Sequence, residues 1–173
     1  MTLPARFGTA PTPTLWEPVD SPLGSFLIAG QGRVVVATHL PGCWSEDDLP
    51  RDWVRKDGAL GPAADQLDAY FRGTRRAFDL DFAPSGTTFQ LSVWAALCVI
   101  PYGTTASYRD IATSVGNPKA TRAVGMANNR NPIALFIPCH RVIGADGSLT
   151  GYGGGLEMKT WLLEHEREVA ARD

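Results

Sequence analysis

Cysteine is scarce in this 173-residue chain: Cys43, Cys98 and Cys139 stand far apart and are odd in number. Such a set makes no disulfide framework, so a reducing, intracellular setting is expected. The sequence also has no apolar run long enough to cross a bilayer, and no basic-then-apolar N-terminus of the signal-peptide kind. A cytoplasmic protein with no membrane partner is expected. Histidine is equally sparse, and His39 with Cys43 offers two neighbouring ligands, too few for a zinc site, so no metal and no cofactor are expected. Lys and Arg, 16 in all, do not outnumber the 18 Asp and Glu. The net charge of −2 by itself says nothing for nucleic acid.

What is present is an ordinary globular composition, 44% hydrophobic and 20% charged, in a chain long enough for one large domain or two small ones. The charge is unevenly spread. Between Thr105 and Arg141 lie five cations and one anion, 5 − 1 = +4, leaving 11 cations and 17 anions elsewhere, hence −6. A basic segment on an acidic protein fits one local anionic contact, and it equally fits an ordinary solvated face.

Along the chain, "MTLPARFGTAPTPT" (1–14) reads as a loose arm. "LWEPVD", "SFLIA" and "RVVVATHL", divided by turn formers, predict an antiparallel meander. "AADQLDAYFRG" predicts a helix with Leu67, Tyr70 and Phe71 on one face and Gly73 as its stop, and "AFDLDF" alternates like a strand. Residues 1–83 therefore form a small α+β domain, with 84–173 a second, mostly helical one. There "TTFQLSVWAALCVI" has helical spacing, and Ser107 to Asp110 is a capping box opening "SYRDIATSV". Asn117 is placed to cap a following helix with Pro118 at its first position, making a helix-turn-helix candidate. Its second helix carries Ala120, Ala123, Gly125 and Ala127, with Arg122 projecting. Such small residues serve close approach to a partner or tight packing within the fold. "LEMKTWLLEHEREVAARD" begins a terminal helix expected to turn Leu156, Trp161, Leu162 and Leu163 toward a core.

The chemistry concentrates in "FIPCHRVIG" (136–144), where a β-prone apolar run delivers Cys139, His140 and Arg141. A thiol becomes a good nucleophile as a thiolate, and neighbouring His or Arg lowers its pKa. On an extended strand adjacent side chains face opposite ways, so His140 would reach the thiol through a bend or a bridging water. A histidine base is commonly held by a third group, and Glu166 on the terminal helix is the candidate. Cys98 reads as core, and Cys43 as partly exposed in "PGCW". From the residues alone Cys139 is either a reactive thiol or another buried core cysteine.

At these residues the chain resembles the O6-alkylguanine-DNA alkyltransferases, the methylated-DNA–protein-cysteine methyltransferases. The resemblance rests on "IPYGTTASY" (100–108), "GNPKATRAVG" (116–125), "NRNPIALFIPCHRV" (129–142) and "LTGYGGGLEMKTWLLEHE" (149–166), and covers nearly all of residues 88–166. It implies a ribonuclease-H-like N-terminal domain and a C-terminal domain whose helix-turn-helix enters the minor groove of double-stranded DNA. A damaged guanine is flipped out, and its O6-alkyl group passes irreversibly to a cysteine. By that likeness Cys139 is the acceptor, His140 its base through a water, Glu166 the support of His140, and Asn131 a clasp on the turn before the cysteine. Tyr108 donates to the flipped base, Tyr152 and Gly153 close over it, and the carbonyls of Cys139 and Val142 read its amino group. Arg122 fills the gap in the stack, with Thr121, Ala123, Gly125, Met126 and Asn128 on the DNA-facing helix. Arg141 is expected to tie its segment to the fold. The partner is DNA containing O6-alkylguanine, met by a monomer.

Where some relatives have serine after the loop tyrosine this chain has Gly153, and Met126 and Asn128 also depart from the family's pattern. A non-catalytic lesion-binding protein is the alternative, but the alkyltransferase-like proteins carry tryptophan where Cys139 stands. A cysteine hydrolase would need an oxyanion hole and turnover, and has only the Cys-His adjacency behind it.

Overall fold

A computed structural model describes residues 7–172, which form two units, 7–84 and 85–172. The first is built on three antiparallel strands, β1 (Leu15–Ser21), β2 (Gly24–Gln31) and β3 (Val34–His39). This is the expected meander. Two short strands extend it in parallel: β4 (Val54–Arg55) beside β1 and β5 (Asp81–Phe82) beside β3. Successive side chains of a strand face opposite ways, yet Phe26, Leu27, Ile28 and Ala29 are all buried, so the sheet is covered on both faces. Helix α1 (Gly61–Phe71) covers one face, bringing Phe71 to 5.8 Å from Phe26. Trp44 and Trp53 pack on the other, against Trp16, Leu27, Ala29 and Leu49.

Expectation and structure part in two places here. "AFDLDF" yields only the two-residue β5, because the Asp79 backbone is engaged by the Gln66 side chain, N–H to Oε1 at 2.8 Å and carbonyl from Nε2 at 3.0 Å. A side-chain amide thus replaces a strand partner. Of the arm expected over residues 1–14, residues 1–6 lie outside the described residues. Phe7 forms an isolated bridge with Phe82, and the Gly8 N–H donates to the Phe82 carbonyl at 2.8 Å.

The second unit holds α2 (Thr88–Leu97), α3 (Tyr108–Ser114), α4 (Thr121–Asn129) and α5 (Gly155–Ala170), with a two-stranded parallel sheet of β6 (Ala106–Ser107) and β7 (Val142–Ile143). α2 is capped reciprocally by Thr87 and Gln90, and α3 by Ser107 and Asp110. Trp94 of α2 is buried and donates from Nε1 to the Ala127 carbonyl at 2.9 Å, fixing α4 against α2.

α4 starts later than Asn117 and Pro118 suggest. Residues 117–120 make a turn closed by the Ala120 N–H on the Asn117 carbonyl, and Ala120 stands at the helix N-terminus. The Asn117 N–H is already engaged by Ala112 O, holding the residue to the end of α3. α5 also turns differently. Its buried residues are Lys159, Leu162, Glu166 and Val169, while Leu156 is exposed and Trp161 stacks on His165 at 4.9 Å. The inward face thus carries two charges where a run of leucines was expected.

Candidate active site

The segment before Cys139 is a folded clasp. The Asn131 side chain donates to the Ile137 carbonyl at 2.8 Å and accepts from the Ile133 N–H at 3.0 Å. Between them Leu135 adopts φ +74°, a left-handed conformation costly for a residue with a Cβ. Cys139, His140 and Arg141 then form one turn of 3-10 helix, not the extended strand expected from their β-prone flanks. All three are buried. The bend that the strand reading required of His140 is therefore the local structure itself.

Glu166 organises the polar side of this turn. Its Oε1 meets His140 Nε2 at 2.7 Å and accepts from Arg141 Nη2 at 3.0 Å. Oε2 accepts from Arg141 Nε at 2.9 Å and from the Gly103 N–H at 3.1 Å. Arg141 Nη1 donates to the Ile100 carbonyl at 2.7 Å, so Arg141 ties turn, helix and the chain after α2 together. Gly103 reaches Oε2 from a left-handed turn, φ +74°, where an added Cβ would lie 2.9 Å from that of Ala170.

Burial works to raise the Glu166 carboxyl, and the hydrogen bonds and charges of His140 and Arg141 overcome it, holding it at about 2. An ionised carboxylate only accepts, so His140 carries its proton on Nε2. Nδ1 has no hydrogen-bond partner among the described residues and is the nitrogen left to act as a base. Burial pushes His140 below the ordinary imidazole value, against the pull of Glu166. Burial likewise pushes the Cys139 thiol up, opposed by the Asn131 carboxamide, the Lys159 charge and backbone hydrogen bonds at Leu135 and Cys139. Thiol and imidazole are thus both neutral at rest. Cys98, by comparison, is pushed to about 12 by burial, and Cys43 is exposed.

Lys159 was missed by the sequence reading. It is fully buried on α5, and its Nζ donates to the Val142 carbonyl at 2.6 Å and the Thr150 carbonyl at 2.8 Å. Burial lowers its pKa and the neighbouring Cys139 raises it. A signal was available: Lys159 lies on the same helical face as Leu162, Glu166 and Val169.

The DNA-facing set divides. Arg122 and Ala123 are exposed, Met126 is 57% exposed, and Thr121 and Gly125 are half-buried. Asn128 contradicts the expectation: at 4% exposure it turns inward, donating from Nδ2 to the Cys139 carbonyl at 3.4 Å. It lies on the face of α4 that also buries Val124 and Ala127.

Tyr108, Thr121, Arg122, Gly125, Met126, Asn129, Thr150 and Gly151 line an open cleft of about 500 Å³. Thr150 Oγ1 donates to the Tyr108 hydroxyl at 3.1 Å, which joins the loop before α5 to the start of α3. Cys139, Val142, Tyr152 and Gly153 do not line this cleft. Cys139 and Val142 are buried, Tyr152 is half-buried and Gly153 exposed.

Residues 88–168 match the family described as the 6-O-methylguanine DNA methyltransferase DNA-binding domain, and residues 14–84 match its ribonuclease-like domain. Together they span most of the chain, and it belongs to the 6-O-methylguanine DNA methyltransferase family. A methylated-DNA–protein-cysteine methyltransferase of Methanosarcina barkeri is 50% identical over 151 residues, 87% of this chain and 96% of that protein. One from Mycobacterium tuberculosis is 48% identical over 158 residues, 91% and 95% respectively. The crystal structure of the M. tuberculosis O6-methylguanine methyltransferase superposes with a TM-score of 0.84 at 47% identity, covering 92% of this chain and 96% of that one. The same protein in complex with DNA gives 0.84 at 46%, covering 90% and 94%.

The network makes stability depend on acid in a defined direction. In the folded state Glu166 titrates at about 2 against an ordinary 4.5, so on acidification the unfolded chain takes up that proton first. The stabilisation is whole above about pH 4.5 and is lost as pH falls toward 2; His140, lowered from 6.5, adds loss of the same sign from 6.5 downward. The Glu166 share is about 3 kcal/mol. Urea unfolding of the wild type and Glu166→Gln should therefore differ by an amount that shrinks by about this much between about pH 5 and pH 2. A difference independent of pH would contradict the assignment.

Proposed function

We propose that this chain repairs DNA by direct reversal, moving the alkyl group from O6 of a flipped-out guanine to Cys139, once per molecule. What carries the reading is the buried cysteine sharing one turn with a buried histidine whose far nitrogen is held by an ionised glutamate. Such a pair supports single attack on a carbon delivered to it. No turnover is needed.

As the alkylated base enters, the Cys139 proton passes through a bridging water to His140 Nδ1, and the imidazolium so formed faces Glu166. The thiolate attacks the alkyl carbon, a C–S bond forms, the C–O6 bond breaks, and the electron pair stays with the guanine. Tyr108 donates a hydrogen bond to the departing base as charge builds. The Lys159 charge and the Asn131 carboxamide lower the cost of the thiolate. Val142 and Cys139 offer their carbonyls to the amino group of the base, and Tyr152 and Gly153 close over it. The product is a thioether, whose sulfur is a poor leaving group, so the thiol does not return. The partner is duplex DNA carrying O6-alkylguanine, engaged by a monomer through the exposed face of α4. Arg122 enters the stack, with Thr121, Ala123, Gly125 and Met126 against the minor groove. That groove carries a degenerate code, so sequence preference is slight.

Incubation with an O6-methylguanine oligonucleotide should add one methyl group to each molecule and stop, the methyl mapping to Cys139 in peptide mass spectra. Cys139→Ser should bind DNA and transfer nothing. Multiple turnovers, or a methyl on Cys43 or Cys98, would overturn the proposal.

Arg122 and Tyr108 separate by substrate. Extruding a base costs a few kcal/mol, and each 1.4 kcal/mol is about tenfold in rate. Arg122→Ala should therefore be at least about tenfold slower on methylated duplex and nearly normal on free O6-benzylguanine, which has no stack to leave. Tyr108→Phe should slow both. Equal losses for Arg122→Ala on the two substrates would show that the arginine supports the pocket or the fold.

A further inference from the structure

Asn128 does not face DNA, and its position calls for another role. Its Nδ2 lies 3.4 Å from the Cys139 carbonyl, while its Oδ1 is buried with no hydrogen-bond partner among the described residues. The orientation is set by chemistry: flipping the amide would press two acceptors together. An amide oxygen taken out of water and left unpaired is costly, and such a group marks a place where a donor arrives. The residue it leans on is the proposed alkyl acceptor. On the reading above, the Cys139 and Val142 carbonyls take hydrogen bonds from the amino group of the base. Each already accepts from a buried side chain, Asn128 in one case and Lys159 in the other. The Cys139 carbonyl also accepts from the Val142 N–H, so both of its lone pairs are engaged and Asn128 Oδ1 is the unpaired acceptor beside it.

We propose that Asn128 is a specificity-determining residue of the base pocket. Its Nδ2 holds the Cys139 carbonyl in place, and its Oδ1 adds an acceptor for the 2-amino group of the flipped guanine. The inference rests on the transfer reaction proposed above. A site made of buried acceptors discriminates strongly against an analogue that lacks the donor, because the acceptors are then left unpaired. Asn128 thus acts on which base reacts. Activation of the thiol lies with His140 and Glu166.

The test uses the full chain and two otherwise identical duplexes, one with O6-methylguanine and one with O6-methylhypoxanthine, which has hydrogen in place of the 2-amino group. Second-order transfer rates are measured for the wild type, Asn128→Leu and Asn128→Ala. The wild type should prefer the guanine lesion. Both variants should lose roughly tenfold on it and little on the hypoxanthine lesion, so the preference collapses. The preference is a ratio within one protein, so a lower folded fraction cancels. An equal loss on both lesions, with the preference intact, would overturn the inference and leave Asn128 a packing residue. No transfer by the wild type from O6-methylguanine would overturn the reaction itself, and this inference with it.

Discussion

Four hydrogen bonds converge on the Glu166 carboxylate, from His140, from two nitrogens of Arg141 and from the Gly103 backbone. They join the terminal helix, the turn that bears Cys139 and the chain leaving α2. Both oxygens are fully used, which is the condition under which a buried charge is tolerated. Removing one member of such a set costs about 3–5 kcal/mol, because the remaining charge stays buried and unpaired. The geometry of the thiol's neighbourhood therefore depends on a residue that does not touch the thiol.

The same burial sets the resting chemistry. Desolvation raises the thiol and lowers the imidazole, so neither is charged until a substrate arrives. The site does not store a thiolate; it lowers the cost of making one, through Lys159, Asn131 and a histidine whose positive form would meet Glu166. A neutral, buried sulfur also stays shielded from solvent until a base is delivered. That suits a protein whose family transfers a group to itself.

Much of this was legible from residue order. The meander, α1, α2 and the capped start of α3 follow from periodicity and turn formers, because burial of one face dictates both pattern and element. The Cys139–His140–Glu166 set and Asn131 were legible as a motif, and Arg141 as a tie. What escaped has physical causes. Asn117 and Pro118 carry helix-start chemistry, but residues 117–120 close a separate turn, with the Ala120 N–H on the Asn117 carbonyl, and α4 begins at Thr121. The β-prone run 136–144 became a 3-10 turn because the Asn131 clasp and the left-handed Leu135 redirect it. A rule that places leucines inside cannot find Lys159 and Glu166 on the buried face of α5, since each is tolerated there only through partners distant in sequence. Asn128 failed for the same reason, its partner being the Cys139 backbone.

The central claim is that burial keeps His140 neutral while Glu166 fixes its proton on Nε2 and leaves Nδ1 bare, beside a protonated thiol. Imidazole nitrogen NMR on isotope-labelled protein, followed across the ordinary histidine pKa of 6.5, reads this directly. The account predicts a His140 with an Nε2 proton and an unprotonated Nδ1 both above and just below that pH. An imidazolium on His140 at neutral pH, or a proton resident on Nδ1, would contradict it.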